Sequence, residues 1–422
     1  MVRYRVRGGN PLRGTAFIQG AKNAVLPMIG AALLASKGRT VLRNVPIIED
    51  VRRAVELAQT VGATVELHEA ERTLVIDAST LSSPVLPAEI ARRFRGSVLF
   101  VPALLHRLGE AIIEGVGGCN LGSRNLDFHY LGYKRLGALV DEGDSVIHVK
   151  SAGLTGATLY LDTPSHTGTE NLIMAAALGR GTTVIENAAL EPEVLDVIDM
   201  LSRMGARISG GGTGFITVEG VEELQAVEHT VMPDRLDAGV FAMAAAITGG
   251  EVNLVGADLD HLGVVRYKLE QMGVEFAEHG AVLHVRRDRP LRPINVITDT
   301  YPGFATDLQS PIMTVACLAD GASYIHERIF DGRFALASEL NKMGADIEVK
   351  ENSAVVRGAT ALTGTQVTAH DLRSGIALVL AGLAAEGETV IESGYLIDRG
   401  HSYLAERMQS LGADVRREIS AS

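Results

Sequence analysis

Two kinds of apolar stretch alternate along the chain. In one, as at residues 172–177 and 376–383, nearly every position is apolar, the pattern of a helix buried on all sides. In the other, apolar residues fall only at helical spacing, as Val51, Val55, Ala58 and Val61 do, and again Val194, Ile198, Leu201 and Met204. That is the pattern of a helix with one face in water. Glycines punctuate both kinds. Gly62, Gly137, Gly205, Gly273, Gly344 and Gly412 end the amphipathic stretches at intervals of 75, 68, 68, 71 and 68 residues. Gly38, Gly109, Gly181, Gly250, Gly321 and Gly387 follow the apolar stretches and precede β-type runs such as Thr183-Val184-Ile185 and Thr389-Val390-Ile391. Each glycine suits the position just past a helix end, where a left-handed conformation costs little without a Cβ.

A unit of about 70 residues therefore occurs six times. Each reads as helix, strand, helix, strand, an α/β arrangement with buried helices inside and sheets outside. One core stops growing near roughly 250–300 residues, so a chain of 422 residues is expected to divide three units to a domain. The break is expected within residues 222–232, where Val-Glu-Glu and Val-Glu-His interrupt the apolar pattern. Ligands favour clefts at domain interfaces, which makes that the default place for a site.

Composition narrows the function classes. The chain is 46% apolar and 21% charged and lacks Trp, as a globular protein can. Its 39 Lys and Arg against 51 Asp and Glu give a net charge of -12, which argues against a nucleic-acid or membrane-surface partner, since both draw on a basic surplus. The longest apolar runs, residues 24–35 and 376–385, fall short of the roughly 20 residues that a bilayer span needs. No apolar stretch follows Arg3, Arg5 and Arg7, so no secretory signal is expected. Two cysteines far apart indicate a reducing compartment, and neither has a Cys or His partner at metal-ligand spacing. The expectation is a cytoplasmic protein without a metal.

An anionic ligand must then be held by a local cluster. Counting back 14 to 16 residues from the second glycine set reaches the expected starts of the buried helices, and there stand Lys22, Arg95, Thr167, Arg235, Asp307 and Arg373. Arg124 and Arg399 lie 13 residues ahead of Gly137 and Gly412, and Arg333 lies 11 ahead of Gly344. A helix start already carries about +0.5 of charge, so a cation there is unfavourable unless an anion joins it. Either each arginine pairs with a neighbouring carboxylate, such as Asp234, Asp371 or Asp398, or several together trap a ligand bearing more than one negative group.

Cys119 lies in the glycine-rich run Gly115-Val116-Gly117-Gly118-Cys119, five residues before Arg124. A nearby cation on an accessible loop promotes the reactive thiolate. Cys317, within Met313-Thr314-Val315-Ala316-Cys317-Leu318, reads instead as a small buried hydrophobe. Asp307 follows a Pro-Gly turn and begins an apolar helix. It reads as an N-cap, unless Thr306 supplies the cap and leaves Asp307 to act as a base.

Taken together, Gly20-Ala21-Lys22-Asn23-Ala24, Arg95-Gly96-Ser97, the run from Gly117 to Arg124, Glu191-Pro192-Glu193, Met232-Pro233-Asp234-Arg235, Tyr301-Pro302-Gly303-Phe304 with Thr306-Asp307, Arg333-Phe334, Asp371-Leu372-Arg373 and Asp398-Arg399-Gly400 resemble the UDP-N-acetylglucosamine 1-carboxyvinyltransferases. The resemblance covers all six repeats. It implies two inside-out α/β barrel domains, residues 22–229 and residues 1–21 with 230–422. It also implies transfer of the enolpyruvyl group of phosphoenolpyruvate to the 3-hydroxyl of UDP-N-acetylglucosamine, with no cofactor.

The resemblance further implies that Lys22, Arg124 and Arg399 hold the phosphate of phosphoenolpyruvate, and that Arg333 and Arg373 hold its carboxylate. Cys119 would protonate the enol carbon or bond to it, and Asp307 would take the hydroxyl proton. Asn23, Arg95, Asn125, Leu126, Asp127, Ser165, Thr167 and Ile329 would meet the nucleotide sugar. The chain departs from the family at Asn125-Leu126, where Pro-Val or Pro-Ile is usual, and at His166-Thr167-Gly168, where Val-Gly-Ala is usual. Another nucleotide or nucleoside acceptor therefore stays open. So does a non-catalytic paralogue that binds a nucleotide sugar, although it would be expected to have lost Lys22, Cys119, Asp307 or Arg399.

Overall fold

The all-apolar stretches fold as the helices Lys22–Ala32, Val101–Leu108 and His166–Ala177 and, further along, Arg235–Thr248, Gln309–Ala316 and Leu372–Ala384. In the computed structural model, residues 2–115, 127–143 and 145–419 are described, the side chains of Arg95 and Asp127 excepted. Cys119, Arg124, Asn125 and Leu126 thus lie outside the described residues. The buried helices begin where the sequence supplies a cap. Asp371 accepts the backbone N–H of Arg373 and Ser374, while the Ser374 hydroxyl accepts the Asp371 N–H, a reciprocal capping box. Ser165 and Asp234 cap their helices in the same sense.

The amphipathic stretches form the helices Glu49–Thr60 and Pro192–Arg203, in which Val51, Ala54, Leu57 and Ala58, and Val194, Val197, Met200 and Leu201, are among the buried positions. All six glycines of the first set have positive φ, between 90° and 107°. In the second set five do; at the fourth repeat the left-handed position falls one residue earlier, on Gly249, which caps Arg235–Thr248. A side chain at any of these would strain the turn that joins helix to strand.

The described residues form six four-stranded sheets, as many as there are repeats, each with two strands more than one repeat's sequence pattern announces. In the third repeat Thr158–Tyr160 runs parallel to Thr182–Glu186, which pairs antiparallel with Phe215–Glu219, itself antiparallel to Arg207–Ser209. The parallel edge strands are two to five residues long, so most offer too few positions for an alternation to register.

By its contacts the chain forms two compact units, Gly20–Met232 and Met1–Gln19 with Pro233–Ser422, each with its own apolar core. Each unit contains three of the sheets, and the three buried helices of a unit pack on one another. This is the inside-out α/β barrel, with helices central and sheets outside. In the first unit Glu228–Thr230, at its end, pairs parallel with Thr40–Arg43, near its start. In the other unit Val2–Arg7 is inserted antiparallel between Glu388–Glu392 and Asp414–Ile419, and Arg13–Phe17 pairs parallel with Glu251–Val255. No helix among the described residues is long and apolar enough to cross a membrane.

Candidate active site

Within the unit Met1–Gln19 with Pro233–Ser422, the sequence candidates Asp307, Arg333 and Arg373 meet. Arg373 Nη1 donates to Asp307 Oδ1 at 3.1 Å, and Arg333 Nη1 approaches the same oxygen at 3.4 Å. Arg373 also donates from Nη2 to Asp371 Oδ2 at 2.6 Å. Burial opposes the Arg373 charge, but Asp307 and Asp371 outweigh it and raise the pKa. Burial likewise works against the Asp371 carboxylate, yet Arg373 and the Ser374 N–H hold it below the usual range. The pairing of Arg373 with Asp371, one of the two alternatives that the sequence left open, is present, and Asp307 shares the same guanidinium.

The cap reading for this segment is corrected. Neither Thr306 nor Asp307 caps the short 3-10 turn Thr306–Leu308 or the helix Gln309–Ala316. Thr306 instead donates its hydroxyl to Glu327 Oε2 at 2.8 Å and accepts Arg333 Nη1 at 2.7 Å. The Arg333 guanidinium lies 4.1 Å from the centre of the Phe330 ring, and its Nε is buried without a hydrogen-bond partner. Burial lowers the pKa of Arg333. Ile329 belongs to the same turn, its backbone N–H held by Glu327 Oε1 at 2.8 Å.

Arg399 does not start a helix, as its spacing had suggested; it stands between the 3-10 turn Gly394–Leu396 and the helix Leu404–Ser410. Its neighbour Asp398 is taken by other partners, with Tyr4 donating its hydroxyl at 2.7 Å and Arg417 gripping both carboxylate oxygens. The following backbone is clamped by buried Gln19, whose Nε2 donates to the Gly400 carbonyl and whose Oε1 accepts the Ser402 N–H, both at 2.9 Å. Gln19 is itself tied through its N–H to Asp237 at 3.3 Å. Asp237 is fully buried and receives Arg407 at 3.0 and 2.5 Å, with His401 Nδ1 3.7 Å away. Burial alone would raise its pKa, but Arg407 and His401 bring it down to about 2. Arg235 is the first residue of its helix and lies over the Tyr301 ring, 5.1 Å from its centre, while Asp234 serves as the cap.

In the unit Gly20–Met232, Lys22 opens the helix Lys22–Ala32 beside half-buried Asn23. Its Nζ lies 3.4 Å from Asp50, a buried carboxylate also 3.9 Å from Arg53. Arg95 begins a 3-10 turn and Asp127 a helix. Ser165 caps His166–Ala177 by accepting the Gly168 N–H at 3.1 Å, and Thr167 is exposed in the first turn. His166, one of the departures from the family, contacts buried Glu170 at 3.1 Å. Burial disfavours its charge, but Glu170, Glu191 and Glu193 raise its pKa strongly. Cys317 is buried, and desolvation pushes its thiol up to about 12.

Sequence reasoning passed over Glu327, Gln19, Asp237 and Arg407, because none sits at a repeat-equivalent helix start. Gln19 stands out only as a single amide in an apolar run, while Glu327, Asp237 and Arg407 stand near other charged residues that gave them no separate signal.

Six repeats in two units of inside-out α/β barrel are the fold of the enolpyruvyl-transferring α/β enzymes. The family profile of EPSP synthase (3-phosphoshikimate 1-carboxyvinyltransferase) matches residues 6–408. The solved enolpyruvyl transferase NikO from Streptomyces tendae superposes with a TM-score of 0.89 at 26% identity, covering 100% of this chain and 99% of that one. EPSP synthase from Acinetobacter baumannii shares the fold, with a TM-score of 0.76 at 17% identity over 99% of this chain and 100% of its own. The UDP-N-acetylglucosamine 1-carboxyvinyltransferase of Thermobifida fusca is 72% identical over 99% of this chain and 98% of its own length. The enzyme numbered 2 under that name in Symbiobacterium thermophilum is 44% identical over 100% of this chain and 99% of its own. The chain belongs to the UDP-N-acetylglucosamine 1-carboxyvinyltransferase family and is a transferase.

Proposed function

We propose that the chain transfers the enolpyruvyl group of phosphoenolpyruvate to the 3-hydroxyl of UDP-N-acetylglucosamine and releases phosphate, the first committed step of peptidoglycan synthesis, in the cytoplasm. The observation that carries this reading is the meeting of Arg333 and Arg373 at Asp307. Two guanidinium forks are suited to a planar carboxylate. A carboxylate at the same point would take a proton from an attacking hydroxyl, a contribution typically worth about 10²–10⁴ in rate.

In this proposal Asp307 accepts the 3-hydroxyl proton as the oxygen bonds to C2 of phosphoenolpyruvate, and the methylene carbon gains a proton from the Cys119 thiol. Return of a proton from that carbon to the Cys119 thiolate then restores the double bond as the C2–O bond to phosphate breaks, and the proton held by Asp307 leaves with the phosphate. Arg333 and Arg373 hold the carboxylate, and Lys22, Arg124 and Arg399 the phosphate. Asn23, Arg95, Asn125, Leu126, Asp127, Ser165, Thr167 and Ile329 meet the nucleotide sugar. Phosphate release from phosphoenolpyruvate, followed with and without UDP-N-acetylglucosamine, tests the assignment. Release only when the nucleotide sugar is present is expected; no release with it, but release with another acceptor, contradicts it.

A further inference from the structure

We propose that Glu327, which contacts none of the ligand groups assigned above, is the positioning residue that orients the Thr306 hydroxyl and thereby fixes Arg333 for phosphoenolpyruvate. This rests on the proposed function. Glu327 follows the strand Ala322–His326 and is 1% exposed. Its Oε1 accepts the backbone N–H of Ile329 at 2.8 Å and of Phe330 at 3.1 Å, and its Oε2 accepts the Thr306 hydroxyl at 2.8 Å. A buried carboxylate is expensive even when hydrogen-bonded. A glutamine would serve the two backbone donors equally well with its carbonyl oxygen, at lower desolvation cost.

What a carboxylate alone secures is the direction of the third bond. It has no proton to give, so Thr306 must donate, and a hydroxyl has only one proton. The Thr306 lone pairs then face Arg333, whose Nη1 donates to them at 2.7 Å. The same guanidinium is stacked on Phe330, the residue whose N–H Glu327 also holds. One buried charge thus fixes Arg333 from two sides, through Thr306 and through the turn carrying Phe330. With Glu327→Gln, the amide N–H₂ faces Thr306 Oγ, the hydroxyl proton is displaced toward Arg333, and two donors oppose each other.

The test titrates phosphoenolpyruvate into the full chain as wild type, E327Q, T306V, T306S and the double variant E327Q/T306V, with steady-state turnover and circular dichroism alongside. E327Q is expected to fold, to bind phosphoenolpyruvate about tenfold more weakly and to leave KM for UDP-N-acetylglucosamine within about twofold, since Gln keeps the Ile329 contact. T306V should match it, T306S should recover the loss seen in T306V, and the double variant should be no weaker than T306V alone. Wild-type binding by E327Q, or losses that add in the double variant, overturns the positioning role. A wild type that binds phosphoenolpyruvate without turnover contradicts the proposed function while the E327Q comparison still decides the role of Glu327. A wild type that neither binds nor turns over overturns both.

Discussion

Replacing Asp237 by asparagine removes a buried charge from the network behind the Arg399 segment while preserving shape. Against the opposing effect of burial, Arg407 and His401 bring the carboxylate from its usual pKa of 3.8 down to about 2, and at about 1.4 kcal/mol per unit that shift corresponds to roughly 2 kcal/mol of folded-state stabilisation. The variant also leaves Arg407 without its counter-charge, although Nη2 keeps its bond to the Phe17 carbonyl at 2.9 Å; that side chain is 13% exposed and its guanidinium sits 4.3 Å from the centre of the Phe241 ring. Breaking a buried pair in this way costs about 3–5 kcal/mol. For domains of 150–250 residues, 1 kcal/mol moves the midpoint by about 2–4 °C, so thermal unfolding of D237N should come about 6–20 °C below wild type at pH 7. The pH dependence has a definite sign. Because the folded pKa is depressed, the stabilisation is complete above the unfolded carboxyl pKa and is lost as pH falls through about 2. The gap between wild type and D237N, followed by calorimetry or by urea unfolding at lower pH, should therefore narrow below about pH 4. A shift under about 2 °C at pH 7, or a gap that does not change with acid, would refute the reasoning.

Restoring the residue usual in the family, His166→Val, should destabilise the chain by about 1–3 kcal/mol, because it removes the hydrogen-bond partner of buried Glu170, whose carboxyl burial already pushes up to about 7; urea unfolding reads this, and an equal or higher midpoint contradicts it. Arg333→Lys should weaken phosphoenolpyruvate binding at least about tenfold, since an ammonium cannot bond Thr306, approach Asp307 and stack on Phe330 together; titration calorimetry checks it, and wild-type affinity opposes it. The buried Cys317 thiol, raised to about 12, should stay unlabelled by fosfomycin in the native protein at pH 8, leaving one adduct on Cys119; peptide mapping that finds the adduct on Cys317 contradicts the assignment.

The repeat was legible because the turn that leads from helix to strand needs a left-handed residue, and glycine meets that need at nearly the same point of successive units. Gly249 shows the tolerance of that rule: the position shifts by one residue and the next glycine takes the strand side. Edge strands such as Val85–Leu86 were not legible, since their pairing is dictated by the strand beside them and not by their own two side chains. Charged residues at helix starts were found by counting, and three of them, Asp307, Arg333 and Arg373, come together in space. The same counting could not reveal which carboxylate each arginine chooses. Asp398 turns to Arg417 and Tyr4 across a sheet whose middle strand comes from the opposite end of the chain. Glu327 and Gln19 escaped for a related reason, because their partners lie 21 and more than 380 residues away.

The central claim concerns which bond forms. Incubating the purified chain with isotope-labelled phosphoenolpyruvate and UDP-N-acetylglucosamine, then locating the label by nuclear magnetic resonance, tests it most directly. The account predicts a labelled enolpyruvyl ether on the sugar 3-oxygen together with an equivalent of free phosphate. Unchanged UDP-N-acetylglucosamine, or label attached at any other position, would contradict it.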